Sequence, residues 1–226
     1  MLHKSNAVRN KHISKMHFLI TAGGTREYID PVRFISNASS GKMGYALTRA
    51  AIRAGHRVTL ISASDLQPPV GVEFVGVDSA AQMFAAVKKF FSKCDCLIMA
   101  AAVADYTPVR KSKVKIKKSD ENLIIKLKPT ADILTWAGKH KYERRVTSNG
   151  PRFVIGFALE GKNVRAEAAK KLKEKNLDMI IANTLDSIGS DETTVQVKLP
   201  GSKWLGLPRS NKAKIAEEII SLAEKF

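Results

Sequence analysis

The sequence predicts an α/β fold: a Rossmann-like, doubly wound, mostly parallel sheet from which a basic β-hairpin flap protrudes. Three observations predict it. Short apolar runs ended by Gly, Ser or Asn recur along the 226 residues, as buried parallel strands do. Segments with apolar residues three and four positions apart separate them, as crossover helices do. Between the two halves of this rhythm, "KVKIKKSDENLIIKLK" (Lys113 to Lys128) alternates Lys with Val, Ile or Leu around a turn-like "SDEN", the period-two pattern of an antiparallel hairpin with one basic and one apolar face.

The elements follow in order. "MLHKSNAVRNKHISKM" is basic and lacks the apolar centre of a signal peptide, so residues 1–16 read as a flexible lead-in and 17–226 as one domain. "HFLITA" (His17 to Ala22) is a buried strand ended by Gly23-Gly24. "KMGYALTRAAIRAG" sets Met43, Leu47, Ala50 and Ala54 on one helical face and stops at Gly55, a C-cap residue. "RVTLIS" (Arg57 to Ser62) and "VEFVGV" (Val72 to Val77) are strands two and three. Ser79 caps a helix carrying Met83, Phe84, Val87 and Phe91, and "CLIMAAAV" (Cys96 to Val103) is strand four. A flap spans about 107–128. The rhythm then resumes with "FVIGFAL" (Phe153 to Leu159), a helix from Asn163 to Lys175 and "DMIIAN" (Asp178 to Asn183). "TTVQVKLPGSKWLGL" is a hairpin turning at Pro200-Gly201, and a last helix runs from Ser210 to Phe226.

Composition narrows the class. Hydrophobic residues make up 44% of the chain, enough for one core. Thirty-eight Lys+Arg against 21 Asp+Glu give a formal net charge of +17. That balance favours an anionic partner: a nucleotide, a phosphorylated metabolite, a nucleic acid or a membrane surface. A basic surface habit explains it equally well. Cys94 and Cys96 lie two apart, hence on opposite faces of a strand, and no further Cys or His cluster accompanies them. They read as buried thiols of a reducing, cytoplasmic compartment, not as a disulfide or zinc pair. No apolar run approaches the ~18 residues of a membrane span.

Ligands of open α/β sheets sit beyond the carboxyl ends of the strands, and four segments fall there or beside it. The first, "AGGTREYIDPVRFISNASSGKMG", spans a connection where about 2–6 residues suffice, so its length implies function. It is neither GxGxxG nor a Walker A loop, which would need Gly at Ser36 and Ser or Thr at Met43. Yet Ser39, Ser40, Gly41 and Gly44 put small side chains and free amides at a helix start, which favours anions, and Asn37 adds a donor and an acceptor. An ordinary capped helix is the plainer reading. The second, "AAAVADYTPV", lets a ligand approach the backbone at Ala100 to Ala102, with Asp105 as the first charge after the strand. That carboxylate suits a ribose hydroxyl or a metal, or simply a cap. The third is the lysine flap: a solvated face, a nucleic-acid contact, or a lid carrying mobile point charges over a polyphosphate. In the fourth, Lys171 and Lys175 share a helix face at i, i+4. No Ser-His-Asp, HExxH or paired-carboxylate signature stands out. No Tyr has a Lys four residues on, against short-chain dehydrogenase chemistry.

Taken together, "ITAGGTREYIDPVRFISNASSGKMG", "AAVADY", "KIKK", "LKPTADIL", "GFALE" and "KNLDMIIAN" resemble, in order and spacing, the phosphopantothenate–cysteine ligases (phosphopantothenoylcysteine synthetases) of coenzyme A biosynthesis, over about residues 17–225. The resemblance implies a two-step reaction. The carboxylate of 4′-phosphopantothenate attacks the α-phosphate of a nucleoside triphosphate and releases pyrophosphate. The amine of cysteine then attacks the acyl-nucleotide. Bacterial members use CTP and eukaryotic ones ATP; the bacterial form of "ISNASSGKMG" favours CTP, with Mg2+ on the polyphosphate. Only a short tail precedes residue 16, so the chain resembles a stand-alone synthetase without the flavin-dependent decarboxylase, and no flavin is expected.

By the same resemblance, Asn37 contacts the acyl-nucleotide and Lys115 is the flap lysine needed for catalysis. Asp105 and the backbone of Met99, Ala100 and Ala101 contact the nucleotide. Lys128, Pro129, Thr130 and Ala131 read the base; many relatives have Pro at Ala131, which leaves base choice open. Phe157, Lys171 and Lys175 complete the nucleotide site. Gly23, Gly24, Arg33, Asn37, Ser39, Ser40 and Gly41 belong to the substrate and intermediate loop. The metal ligands stay unassigned. A homodimer is implied, with the flap and sheet edge closing the site. Two other readings compete. A nicotinamide-dependent reductase lacks its glycine fingerprint. A nucleic-acid-binding module lacks aromatics interleaved with the flap lysines.

Overall fold

Apolar residues that alternate sides along buried strands need cover on both faces, and two helical layers supply it. A computed structural model describes residues 15–143, 150–161, 163–184 and 189–226. The chain runs β1 (His17–Ala22), β2 (Arg26–Tyr28), β3 (Phe34–Ser36), α1 (Lys42–Arg53), β4 (Arg57–Ser62) and β5 (Glu73–Gly76). It continues through α2 (Ala80–Phe91), β6 (Cys96–Met99), β7 (Tyr106–Pro108), β8 (Leu127–Pro129), α3 (Ile133–His140) and β9 (Phe153–Glu160). It ends with α4 (Val164–Glu174), β10 (Met179–Thr184), β11 (Glu192–Lys198), β12 (Leu205–Asn211) and α5 (Lys212–Ala223).

The main sheet has eight strands in the order β12-β11-β10-β9-β6-β1-β4-β5. Every pairing from β10 to β5 is parallel, and β11 and β12 join antiparallel at one edge. From β1 the chain winds outward to β4 and β5, then returns to β6 on the other side of β1 and winds the opposite way. The topological switch point therefore lies between β1 and β6, where a crevice opens at the carboxyl ends of open α/β sheets. Phe18 and Ile20 point to the face covered by α1 and α5, with Leu47, Ile215 and Ile219. Leu19 and Leu97 point to the other face, with Met83 of α2, Leu134 of α3 and Leu172 of α4. Gly44 lets α1 lie close on β1: a Cβ there would come within 2.5 Å of the Ala22 Cβ.

The sequence-based expectations hold for the sheet and need adjustment at its periphery. Ser79 caps α2 through a capping box with Gln82, and β11 and β12 form the expected hairpin. The long connection after β1 contains an unforeseen hairpin, in which Glu27 pairs with Ile35 across β2 and β3. The fourth strand stops at Met99; beyond it Ala102 bridges Gly24 instead. The flap also differs. Its strands are β7 and β8, with Thr107 opposite Lys128, and residues 109–126 carry no strand. Val114 (71% exposed) and Ile124 (83% exposed) have no surface to cover. A lone two-stranded ribbon without a buried face is marginal in water, so pairing survives only at the root. Cys94 and Cys96 are buried and form no disulfide, and burial pushes the Cys96 thiol up. No helix among the described residues is long and apolar enough to cross a membrane. The expected lead-in falls largely on residues 1–14, outside the described residues.

Candidate active site

A cavity of about 760 Å³ opens at the switch point. Its first wall is the turn from Asn37 to Met43. Gly41 has φ 78°, the left-handed region that favours Gly, and a Cβ there would meet the Ser64 side chain at 2.8 Å. Ser64 fixes this turn from behind, its hydroxyl donating to the Ser40 carbonyl at 2.9 Å. The first turn of α1 has no side-chain cap from Gly41 and no acidic residue. The Gly41 and Lys42 amides reach only the Ser39 and Ser40 hydroxyls, at 3.4 Å. Such a helix start attracts anions. Asn37 Nδ2 donates to the Val103 carbonyl at 3.1 Å, tying the turn to the segment beyond β6.

The second wall is Met99 to Val103 with Asp105 and Tyr106. Thr21 of β1 and Thr25 just beyond it hold this wall, accepting from the Ala101 amide at 3.2 Å and the Ala104 amide at 2.8 Å. The third wall starts at Pro129. Thr130 donates its amide to the Asp105 carbonyl at 2.9 Å and its hydroxyl to the Ala104 carbonyl at 2.6 Å. Asp132 caps α3 by accepting from the Thr135 amide, and takes the Lys175 ammonium at 2.8 Å. Burial would raise the Asp132 carboxyl, but Lys175 and Thr135 outweigh it and hold it below the usual carboxylate range. The last wall is Phe157 to Leu159 of β9, with Lys171, Lys175, Asn183, Gly189 and Lys212.

Of the residues singled out from the sequence, the cavity gathers Asn37, Ser39, Ser40, Gly41, Met99, Ala100, Ala101, Asp105, Pro129, Thr130, Ala131, Phe157, Lys171 and Lys175. It does not take in Gly23, Gly24, Arg33, Lys115 or Lys128. Gly24 instead lines a second cavity of about 530 Å³ shared with Asn37 to Ser40. Lys128 is exposed on β8, and Lys115 is exposed in the flap. Arg33 clamps that flap: its guanidinium bonds the buried Asp30 carboxylate and donates to the Ile116 carbonyl at 2.5 Å. Asp30 also accepts from the Val32 and Arg33 amides, each at 2.8 Å, and from the Ile116 amide at 3.1 Å. Burial would raise the Asp30 carboxyl; Arg33 and the three amides reverse this and hold it well below the usual range.

Sequence reasoning missed three charged side chains of the cavity, Lys42, Asp132 and Lys212, and the amide of Asn183. Lys42 had a signal, the Gly-Lys that fails the phosphate-loop pattern. Asn183 had one too, since it is the first polar residue after a buried strand run, the same cue that marks Asp105. Asn183 is only 9% exposed, and its Oδ1 is buried without a hydrogen-bond partner. Lys212 had none, because an exposed-looking lysine at a helix start is commonplace. No group of three or more His, Cys, Asp or Glu side chains among the described residues is placed to hold a metal ion.

Residues 13–226 match the family described as the DNA/pantothenate metabolism flavoprotein C-terminal domain. The chain belongs to this family. It is 42% identical over 210 residues to the coenzyme A biosynthesis bifunctional protein CoaBC of Bacillus subtilis (strain 168), covering 90% of this chain and 50% of the relative. The chain spans about half the length of the curated relatives it matches. The crystal structure of the C-terminal domain of a CoaBC protein superposes with TM-score 0.78 at 38% identity, covering 93% of this chain and 94% of that one. The DNA/pantothenate metabolism flavoprotein of Streptococcus pneumoniae gives TM-score 0.77 at 25% identity, covering 93% of this chain and 99% of that one.

Proposed function

We propose that this member of the family is a phosphopantothenate–cysteine ligase that forms 4′-phosphopantothenoylcysteine through an acyl-nucleotide, with CTP as the favoured triphosphate. The observation that supports it is the cavity at the switch point. One wall offers an uncapped helix start for phosphates, one offers backbone and Asp105, and one offers Phe157 with two lysines. That combination suits a nucleotide beside a second phosphorylated substrate. The relatives carry coenzyme A biosynthesis in their names.

In the first step a carboxylate oxygen of 4′-phosphopantothenate forms a bond to the α-phosphorus, and the bond to the β,γ-diphosphate breaks. Asn37 and the Gly41 turn orient the phosphates, a proximity effect that holds the reacting atoms in line. Lysine charge offsets the negative charge that grows on the leaving group; Lys115 brings it from the flap, which closes over the cavity from its clamp at Ile116. In the second step the cysteine amine displaces the nucleoside monophosphate. Mg2+ bound with the triphosphate would offset its negative charge, and Asp105 at the second wall would be the residue to help hold it. No flavin takes part.

The exposed apolar side chains of β3 and the flap, Phe34 (45% exposed) and Val114 (71%) among them, support a homodimer closing around this region. The test of function is direct. The chain is incubated with 4′-phosphopantothenate, cysteine, Mg2+ and each triphosphate in turn, and pyrophosphate and product are measured. CTP is expected to support more turnover than ATP. Equal or better turnover with ATP removes the base assignment, no turnover with any triphosphate removes the ligase reading, and a bound flavin spectrum contradicts the expected absence of flavin.

A further inference from the structure

The cavity has two unlike ends. At the start of α1 it offers small side chains and amides, Asn37 to Gly41 among them. At the start of α3 it offers the apolar surfaces of Pro129, Leu134 and Ala158 and one ion pair, Asp132 with Lys175. Anions favour a helix start without a cap or an acid, whereas a flat aromatic ring favours apolar walls with a few placed polar groups. A nucleotide with its phosphates at α1 therefore carries its base toward α3.

The ion pair at that end is held from both sides. Asp132 Oδ1 accepts from the Thr135 amide, and Oδ2 accepts from the Thr135 hydroxyl and from Lys175, each at 2.8 Å. Lys175 is the C-cap of α4, and α3 also fixes its backbone. The two helices lie so close that a Cβ on Gly138 would come within 1.9 Å of the Lys175 carbonyl oxygen. Asn176, with φ 51°, donates from its side chain to the Gly138 carbonyl at 2.9 Å. The pair still faces the cavity: Asp132 keeps 47% and Lys175 25% of its side-chain surface exposed, and both are lining residues.

An ionised carboxylate only accepts hydrogen bonds, and an ammonium only donates them. Unlike an amide or a hydroxyl, neither can exchange roles by turning over. A fixed acceptor beside a fixed donor thus matches a base edge in one order only. Cytosine and adenine present an amino N–H beside a bare ring nitrogen on the Watson–Crick edge. Uracil and guanine present a carbonyl beside a ring N–H, the reverse order. We infer that Asp132 and Lys175 read the base, the carboxylate accepting from the amino group and the ammonium donating to the neighbouring ring nitrogen, so that the cavity takes amino bases and rejects keto bases. CTP, the triphosphate of the proposed reaction, selects the amino order of the two, and on that reading the assignment rests. Lys175 has three N–H donors, so it keeps Asp132 while serving the base. Both are binding residues.

Calorimetry with CMP, AMP, UMP and GMP on the full chain tests this without requiring turnover. CMP is expected to bind about tenfold or more tighter than UMP, and AMP than GMP, the discrimination of one good bidentate pair. Asp132→Asn keeps the helix cap, since Asn caps as well as Asp, and its amide can offer either a donor or an acceptor. It is expected to bring CMP and UMP within about threefold of each other, and a thermal melt checks that the fold is kept. Lys175→Met is expected to weaken CMP about tenfold and UMP less. Lys139→Met, an exposed lysine of α3 outside the cavity, controls for general charge and leaves the ratio unchanged. A merely structural role would move all four ligands together. No binding of CMP by the unaltered chain, UMP bound as tightly as CMP, a ratio that Asp132→Asn leaves in place, or equal losses of CMP and UMP in Lys175→Met would each overturn the assignment. Base selectivity in this pattern without ligation keeps the pair and loses the reaction; ligation with UTP as readily as with CTP does the reverse.

Discussion

Asn183 is the last buried residue of β10, one position before the strand's end, and its amide oxygen has no partner. A buried acceptor left unpaired costs about 1–3 kcal/mol, and a ligand donor returns that cost on binding. Asn183→Ala is therefore expected to leave the melting temperature unchanged or slightly raised while weakening triphosphate affinity about tenfold, a loss of about 1.4 kcal/mol. Calorimetry beside a thermal melt separates the two effects; lost stability with intact affinity would make Asn183 a packing residue. Lys115 and Asn37 divide differently. Lys115→Gln is expected to suppress pyrophosphate release measured without cysteine. Asn37→Asp, which sets a negative charge beside the acyl phosphate, is expected to let the intermediate form and accumulate, visible by mass spectrometry. Equal loss of pyrophosphate release in both variants, with no accumulation, would refute the division.

The flap shows how an element without a core keeps a position. Its strands pair only at Tyr106–Pro108 and Leu127–Pro129, and its middle is held by Asp30 and Arg33 at Ile116, next to Lys115. Asp30→Asn is expected to slow the first half-reaction while leaving the affinity of the cavity for the nucleoside monophosphate intact. Loss of both would assign Asp30 to the cavity instead. The clamp also has a pH signature. A carboxylate whose folded pKa is depressed contributes stability that is fully present above its unfolded value, about 3.9, and is lost as pH falls toward the depressed folded value. Melting temperature is thus expected to fall more steeply below about pH 4 in the unaltered chain than in Asp30→Asn, and parallel acid limbs would show that the carboxylate does not couple to folding.

At the scale of the whole molecule, the parallel sheet was legible because its strands are buried on both faces. Every position of "HFLITA" and "CLIM" is buried, and only His17 and Thr21 break the apolar run of the first. The cavity was legible for a related reason: Asn37 and Ala100 come just beyond strand ends, Asp105 follows in the same segment, Phe157 sits in the carboxyl-terminal half of β9, and topology brings these positions together at the switch point. What escaped were residues placed by long-range contacts. The Lys42–Asp191 pair joins positions far apart in sequence, and β2 pairs with β3 through three-residue strands whose period is too short to read. The flap misled because alternation describes a strand whether or not anything covers its apolar face. A proposed dimer follows from that uncovered face. Sedimentation is expected to give twice the 24.8 kDa of the chain, and Phe34→Asp to return it to one copy; a single-copy mass for the unaltered chain would refute the dimer.

The position of β1 carries a consequence for how the molecule is made. It precedes the other strands of the main sheet in the chain and lies between two neighbours, yet its partners begin only at Arg57 and Cys96. Closing the shorter loop costs slightly less chain entropy than closing the longer one, so β1 and β4 meet first. Until Met99 has left the ribosome, one edge of β1 stays open, with its row of unpaired amides and carbonyls. A nascent chain stalled between those two events presents the edge of β1 that β6 covers in the folded sheet.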